Sequence, residues 1–516
     1  MRDEPATAAG FSCLPSPIDG RDLGNCCRYV ARPAETSAMN SLMRAAWPLL
    51  GLALFVFTSA CGPSAATKHS FSAEFGAARY QVAADVMGAP ALCAGPPNSS
   101  HLLETLEAGA AYRAGGRRQE SCKLFNDAED YLKFYDQQLL AETSAQTLAA
   151  LLVNDKALPY RGETYDGIMV NVYKALNYLE DAKWDQARVE LNRVNERQRR
   201  AVERYSTAIK KQQDAVAKKK SESKNVPIEQ TLENPALKSL IDAKYQDFSA
   251  KTATWSAYPD FVNPFATYVQ GLSFLFMAED AADYGKARDA LRRVYGMTGN
   301  SRLVQGDLAM VESILDHKTI RKNAPPTVWM IFENGLGPVK EEVRIDIPLM
   351  FEKVSYVGIA LPVLRFRDSA YSALQLRSGS NDIGMTEELF SMDGVVAKEF
   401  QMELPQVVTR AVLSAVLKTA VQYEATKEGG SLGNLLSTAY TFLSTGADTR
   451  GWSSLPKNIQ IARFPRPNDG HVDILTSGAP GPLARVELPK SRYSIVYVKI
   501  PTPGAPATYQ TIASKD

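Results

Sequence analysis

The 516-residue sequence predicts a multi-domain chain: an all-α helical-repeat part with an inserted antiparallel helical hairpin, followed by a mixed α+β part. Three observations predict this. Apolar residues recur every three to four positions from about Leu102, and every second position after Thr327. A thirteen-residue stretch, "AKWDQARVELNRV" at Ala182–Val194, returns as "ADYGKARDALRRV" at Ala282–Val294 with six identities. A long charged insertion, about Asn195 to Asp260, separates the two copies. With 45% hydrophobic and 22% charged residues the chain can bury a sizeable core, and its length fits two to four domains. A net charge of +1 gives no global attraction for nucleic acid, and none is expected as a partner.

The first 60 residues read as an address rather than a fold. Residues 1–38 lack hydrophobic periodicity and are expected to be an upstream leader, with the real start at Met39. From there Arg44 supplies a positive charge, Ala45–Phe57 an apolar run, and Thr58-Ser59-Ala60 small residues before Cys61. Thirteen apolar residues fall short of the ~20 needed to span a bilayer and suit a signal-peptide core. The segment resembles a bacterial lipoprotein signal, whose cleavage leaves Cys61 as an acylated N-terminus. Thr58 stands where such signals usually carry Leu, and a secretory signal cut near Ala60 is the other reading. Gly62, in place of the Asp that marks inner-membrane retention, favours the outer membrane by the same resemblance. With Cys61 lipidated, Cys93 and Cys122 are left as an even pair in an oxidising compartment. They form either a disulfide or two unpaired thiols, because sequence separation does not fix Cα distance.

Residues 61–100, rich in Gly, Ala, Ser and Pro, are expected to be a tether and loose lead-in. Helices are expected over 101–320. Within them Glu163–Leu179, the turn "EDAK" and Trp184–Arg197 resemble a tetratricopeptide (TPR) repeat. In that motif small residues let two antiparallel helices approach and large ones fill the gap. Ala175 and Tyr178 hold the first helix's small and aromatic positions; Trp184, Ala187, Leu191 and Val194 serve the second. The later copy offers Gly271, about one turn upstream of the usual place, then Tyr284, Ala287, Leu291 and Val294. All these residues read as scaffold packing; binding in such repeats usually falls on the concave face.

In the insertion Val202, Tyr205, Ile209, Gln212 and Val216 form a heptad-like seam, answered by Leu237, Ile241, Tyr245 and Phe248. The outgoing arm and tip, residues 195–224, carry ten basic residues against four acidic. Lys218, Lys219 and Lys220 are either a solvated face or a contact for anionic lipid or an acidic partner. Over 321–500 strands alternate with a largely apolar helix that admits Pro405 near its start and ends at Gly429-Gly430. Residues 501–516 are expected to be a flexible tail.

The stretches "AEDYLKFYD", "LPYRGETYDGIMVNVYKALNYL", "ENGLGPVKEEVRIDIPL", "MDGVVAKEFQMELPQVVTRAVLSAVLK" and "ADTRGWSSLPKNIQIAR" resemble uncharacterised bacterial lipoproteins with TPR-like repeats. The likeness runs from about Cys122 to Arg463. It implies an outer-membrane, periplasm-facing lipoprotein, held by its lipid, that binds envelope proteins in assembly or regulation.

Chemistry is sparse. His69, His101, His317 and His471 make no metal-ligand pair, HExxH and CxxC are absent, no glycine-rich phosphate loop follows a strand, and the glycines of "GGSLGN" at 429–434 read as a helix cap, so no cofactor, metal or catalytic residue is expected. The nearest approach to a site is Asp448, Arg450, Trp452 and His471 in the C-terminal part. There a carbohydrate- or peptidoglycan-directed module or hydrolase is the alternative to a scaffold. Asp448 and Arg450 also read as a turn with an ion pair, and Trp452 as a core anchor.

Overall fold

A computed structural model of the chain describes residues 63–94, 101–141, 159–222, 228–253, 261–317, 323–351, 354–443, 446–476 and 481–515. They fall in one compact unit, Ala60–Asp516. The signal-like segment and Cys61 lie outside the described residues.

Helices dominate the N-terminal part and mixed sheets the C-terminal part. Three helical hairpins lie in the first: α4 (Leu102–Ala114) with α5 (Arg118–Ala141), α6 (Thr164–Glu180) with α7 (Trp184–Glu222), and α10 (Pro264–Phe276) with α11 (Ala281–Met297). Helix α12 (Arg302–Leu315) follows the third. The echoed residues pack where the helices of a pair meet. Ala187, Leu191 and Val194, like Ala287, Leu291 and Val294, are fully buried, and a Cβ on Gly271 would sit 2.9 Å from Leu291 Cγ. Ala175 is fully buried too, and Tyr178, Trp184 and Tyr284 pack against the same core.

The first hairpin repeats the second without sharing its letters. Gly109, Tyr112, Ser121, Phe125 and Ala128 hold the spacing of Ala175, Tyr178, Ala187, Leu191 and Val194. A Cβ on Gly109 would meet Phe125 at 2.7 Å, and Ser121 Oγ donates to Gly109 O at 2.9 Å. Both interhelical turns close alike. Arg117 N donates to Tyr112 O and Lys183 N to Tyr178 O, each at 2.8 Å, with Gly116 and Ala182 at φ 78° and 54°. That left-handed conformation is free for Gly116 and costs Ala182 about 1–2 kcal/mol.

Several expectations are corrected. Residues 61–100 are not a loose lead-in where they are described: they form α1 (Ala65–Gly76), α2 (Tyr80–Val86) and α3 (Ala89–Ala94). Phe71, Phe75 and Tyr80 anchor these helices in a core shared with Tyr112, Leu124 and Leu336. Residues 501–516 are not a free tail where they are described. Strand β11 (Thr508–Ala513) pairs antiparallel with β10 (Tyr493–Ile500) and buries Ile512. The helical and α+β parts are not separate bodies, because one core runs from Leu102 to Ile512.

The insertion does not project as a self-paired arm either. Helix α7 continues unbroken out of the second hairpin. After the short α8 (Ile228–Leu232), α9 (Pro235–Thr252) sets Tyr245 and Phe248 against Phe400, with Phe248 stacked on Phe366. Tyr245 OH donates to Pro362 O at 2.6 Å, and Gln212 Nε2 of α7 to Gln406 O at 2.9 Å. The outgoing arm is tied to the α+β part by hydrogen bonds and the returning arm by aromatic packing.

The central sheet has the order β11-β10-β1-β7-β6, where β1 is Thr327–Asn334, β6 Glu387–Ser391 and β7 Asn458–Pro465. Strand β1 lies parallel to β10 and antiparallel to β7, and all its residues are buried. Its alternate side chains serve two cores. Trp329 and Ile331 face the helices, while Val328, Met330 and Phe332 face a second sheet, β5-β4-β8-β9 (Asn381–Met385, Gln375–Ser378, His471–Leu475, Ala484–Glu487). A long hairpin of β2 (Val339–Phe351) and β3 (Val354–Arg365) leans on α13 (Met392–Leu443). This single helix takes in Pro405 and runs on through Gly429 and Gly430, where its end was expected.

The sheet seals the inner face of the hairpins. Every residue of α4 and α10 is buried, and all of α6 except Thr164, Tyr178 and Glu180. Tyr173 OH donates to Glu333 Oε1 at 2.7 Å, the Phe276 ring lies 5.6 Å from Trp329, and Gln510 Nε2 donates to Arg113 O at 3.3 Å. The concave face expected to bind a partner is filled by the chain's own strands.

Candidate functional site: a charged cleft between helices and sheet

The loop before α6 lies against α7, α13 and the start of β2 around a cleft of about 330 Å³. Helix α13 presents Glu399, Glu403, Gln406 and Arg410 to it; intervals of four, three and four residues put them on one helical face. Helix α7 contributes Arg204, Lys211 and Gln212, and β2 contributes Lys340.

Carboxylate oxygens of Glu163, Glu399 and Glu403 lie within 4.8 Å of one another. Glu399 holds the N-terminus of α6, accepting from Thr164 N at 2.5 Å and Tyr165 N at 3.2 Å, where the helix dipole favours an anion. Lys340 Nζ donates to Glu163 Oε1, and Arg204 Nε pairs with Asp136 at 2.9 Å. Burial, with Glu163 adding, pushes the Glu399 carboxyl up to about 7; burial and then Glu163 and Glu399 push Glu403 well above the usual range. Carboxylates this close cannot all ionise, so the group retains a proton at neutral pH. Burial opposes the charge of Lys340, but Glu163, Glu403 and Asp448 outweigh it and hold the amine above its ordinary value. Beneath the cleft, Asp166 is buried and raised to about 8 by that burial, against hydrogen bonds from Tyr160 OH at 2.5 Å and Glu163 N at 2.9 Å.

Three clustered carboxylates are also a donor set that a hard divalent cation accepts, although Lys340 already neutralises one of them. On the other side of Lys340 a cavity of about 250 Å³ is lined by Lys68 and Glu107. Burial lowers the Lys68 amine, and Glu107 is used structurally, accepting from the backbone and hydroxyls of Ser453 and Ser454.

Of the four C-terminal candidates, two reach the cleft. Arg450 Nε and Nη2 each donate to Asp448 at 2.8 Å, and Arg450 N closes the turn at 2.9 Å, so the turn with an ion pair is what forms. Burial opposes the Asp448 charge, but Arg450 outweighs it and keeps the carboxyl below its usual value. Trp452 is a core anchor, with Phe125 and Tyr173 rings at 5.8 Å and its Nε1 donating to Ser454 Oγ at 2.9 Å. His471 opens β8 on the outer sheet beside Asp469, so the expected quartet does not assemble. The course of β7 carries the chain away between them.

Cys93 and Cys122 are both free, so the disulfide option is corrected. Asn177 Nδ2 contacts Cys122 Sγ at 3.5 Å, and burial raises both thiols. Lys218 is exposed on α7, while the side chains of Lys219 and Lys220 lie outside the described residues. The residues that sequence reasoning missed are Glu163, Lys340, Glu399 and Glu403. The spacing 399, 403, 406, 410 on one face of α13 is a sequence signal for Glu399 and Glu403, and none marks Glu163 or Lys340.

No helix among the described residues is long and apolar enough to cross a membrane. No family model, curated protein or solved structure matches the chain.

Proposed function

We propose that this chain is an exported cell-envelope scaffold, lipid-anchored through Cys61 to the outer membrane and facing the periplasm, that holds a protein partner during envelope assembly or regulation. Its hairpins are TPR-like. The small residue followed by a small and then a large residue on the next helix recurs at Gly109/Ser121/Phe125 and Ala175/Ala187/Leu191, and Ala287/Leu291 repeats the second half. The observation that carries the reading is the sealed inner face. The repeats act as a frame for the chain's own sheet, and the cleft beside α7 and α13 is left as the recess that concentrates charge.

A photo-crosslinking residue at Gln212 tests this in intact envelopes, against one at the exposed Tyr509 on the far edge strand. A discrete adduct from position 212 alone, reduced in Cys61→Ala, is expected. Identical adducts from both positions refute the recess. Retention of the precursor mass by the wild type refutes the lipid anchor separately.

One observation favours a second reading, a hydrolase acting on envelope polymers. Glu403 is held protonated and Asp448 ionised in the same cleft, the division of labour of an acid and a base. Release of soluble fragments from purified cell-wall sacculi by the wild type but not by Glu403→Gln would support it; equal release by both excludes it.

A further inference from the structure

The cleft changes sign along its length. On α13 the face looking into it reads Glu399, Glu403, Gln406, Arg410, so carboxylates lead and a guanidinium follows. Helix α7 lies alongside in the same sense. Its Tyr205 donates to Met402 O and its Gln212 to Gln406 O, which brings Lys211 toward the basic half. At the acidic end Lys340 is engaged by Glu163, Arg204 by Asp136, and Glu399 by the start of α6. Between the ends, Gln406 Nε2 is a buried donor with no acceptor among the described residues. A buried donor without an acceptor costs about 1–3 kcal/mol, which a ligand oxygen would recover.

We propose that this cleft binds a short peptide with both termini free, its ammonium on Glu403 and its carboxylate on Gln406 and Arg410. Seven helical residues separate Glu403 from Arg410, about 10 Å of rise. An extended chain covers that distance with about three residues. Tyr160, Tyr205 and Phe400 line the same space and supply apolar surface for the peptide's middle. The incoming ammonium takes the place of the proton that the carboxylate group holds at neutral pH, so one proton leaves as the peptide enters. This goes beyond the scaffold reading, which asks only that a protein dock at the recess, and it is measured on purified protein with no partner present.

The test is calorimetric titration of the mature chain with tri-alanine at pH 6.5 in two buffers of different ionisation enthalpy. Saturable binding with release of close to one proton is expected. Blocking either terminus, as N-acetyl-tri-alanine or tri-alanine amide, should weaken binding at least tenfold, as should Glu403→Gln or Arg410→Gln. The blocked peptides probe wild-type protein, so the result does not depend on how the variants fold. Equal binding of free and doubly blocked tri-alanine overturns the proposal, as does absence of binding at millimolar concentration. Tight binding of Mn²⁺ alone that is lost in Glu403→Gln, without any response to tri-alanine, would instead assign the carboxylates to a cation. Loss of partner crosslinking with tri-alanine binding intact would sink the scaffold reading and leave this one standing.

Discussion

Replacing Asp166 by Asn should remove a pH dependence from the stability of the fold. Asp166 is completely buried, its Oδ2 accepts from Tyr160 OH and Glu163 N, and its Oδ1 has no hydrogen-bond partner among the described residues. Burial raises the carboxyl to about 8, and the charges of Glu163 and Glu399 push the same way. The folded chain therefore keeps a proton that the unfolded chain, with an ordinary Asp near 3.9, gives up. A raised carboxyl pKa means stability is greatest below about pH 4 and falls as pH rises toward 8. The slope is about 1.4 kcal/mol per pH unit, or about 2.7 kcal/mol between pH 5 and 7. Asn accepts the same two hydrogen bonds and does not titrate. Urea unfolding at pH 5, 6 and 7 should show Asp166→Asn gaining on the wild type by about that amount over the interval. The difference between the two proteins is the quantity to read, because Glu399, raised to about 7, tilts both curves alike. A difference that stays constant with pH, or a wild type that grows more stable from pH 5 to 7, would refute the argument.

Gly271→Ala places a methyl 2.9 Å from Leu291 Cγ and should cost about 1–3 kcal/mol, read as a lowered melting temperature. Ala182→Gly relieves a φ of 54° and should stabilise by about 0.5–1 kcal/mol after the glycine's greater unfolded-state entropy is counted; an unchanged or lower urea midpoint would contradict that account. Deleting residues 506–516 removes β11, which should bare the β10 edge and make the protein associate, seen as larger species in size-exclusion chromatography. Tyr173→Phe deletes one of three donors to the buried Glu333 carboxylate, beside Tyr497 and Lys499, and should cost about 1–3 kcal/mol in urea unfolding.

The echo at Ala182 and Ala282 was readable because packing two helices closely fixes side-chain size at particular intervals, and Ala187, Leu191, Ala287 and Leu291 obey that rule with the same letters. The hairpin at Leu102–Ala141 obeys it with different ones. Gly109, Ser121 and Phe125 satisfy the size rule, and the Ser121 hydroxyl finds its partner in Gly109 O, so identity matching passed over it. Helices α1 to α3 were missed because small residues dominate their composition, while Phe71, Phe75 and Tyr80 do the anchoring. The cleft was out of reach for another reason. Glu163, Lys340 and Glu399 meet across 236 positions of sequence, and nothing local to any of them records the other two.

Sealing the inner face changes what mutations in the repeats can mean. In an open helical-repeat scaffold, residues on the first helices touch the ligand, and substituting them alters affinity while the fold survives. Here Tyr173, Lys174, Asn177 and Phe276 are buried against the sheet or within charge networks: Lys174 binds Glu129 at 2.6 Å and Glu190 at 2.9 Å with its side chain fully enclosed. Removing Lys174 takes the shared cation from between two buried carboxylates, which keep only the half-exposed Arg193 as a close cation, and a loss of about 1–3 kcal/mol falls on folding. Glu403, Gln406 and Arg410 of α13 stand at the other extreme, only partly buried along the cleft. Lys174→Met should therefore lose stability to urea before any partner is tested, whereas Arg410→Gln should keep its stability and lose peptide binding. The two outcomes separate frame from site, a distinction that the repeated spacing alone does not make.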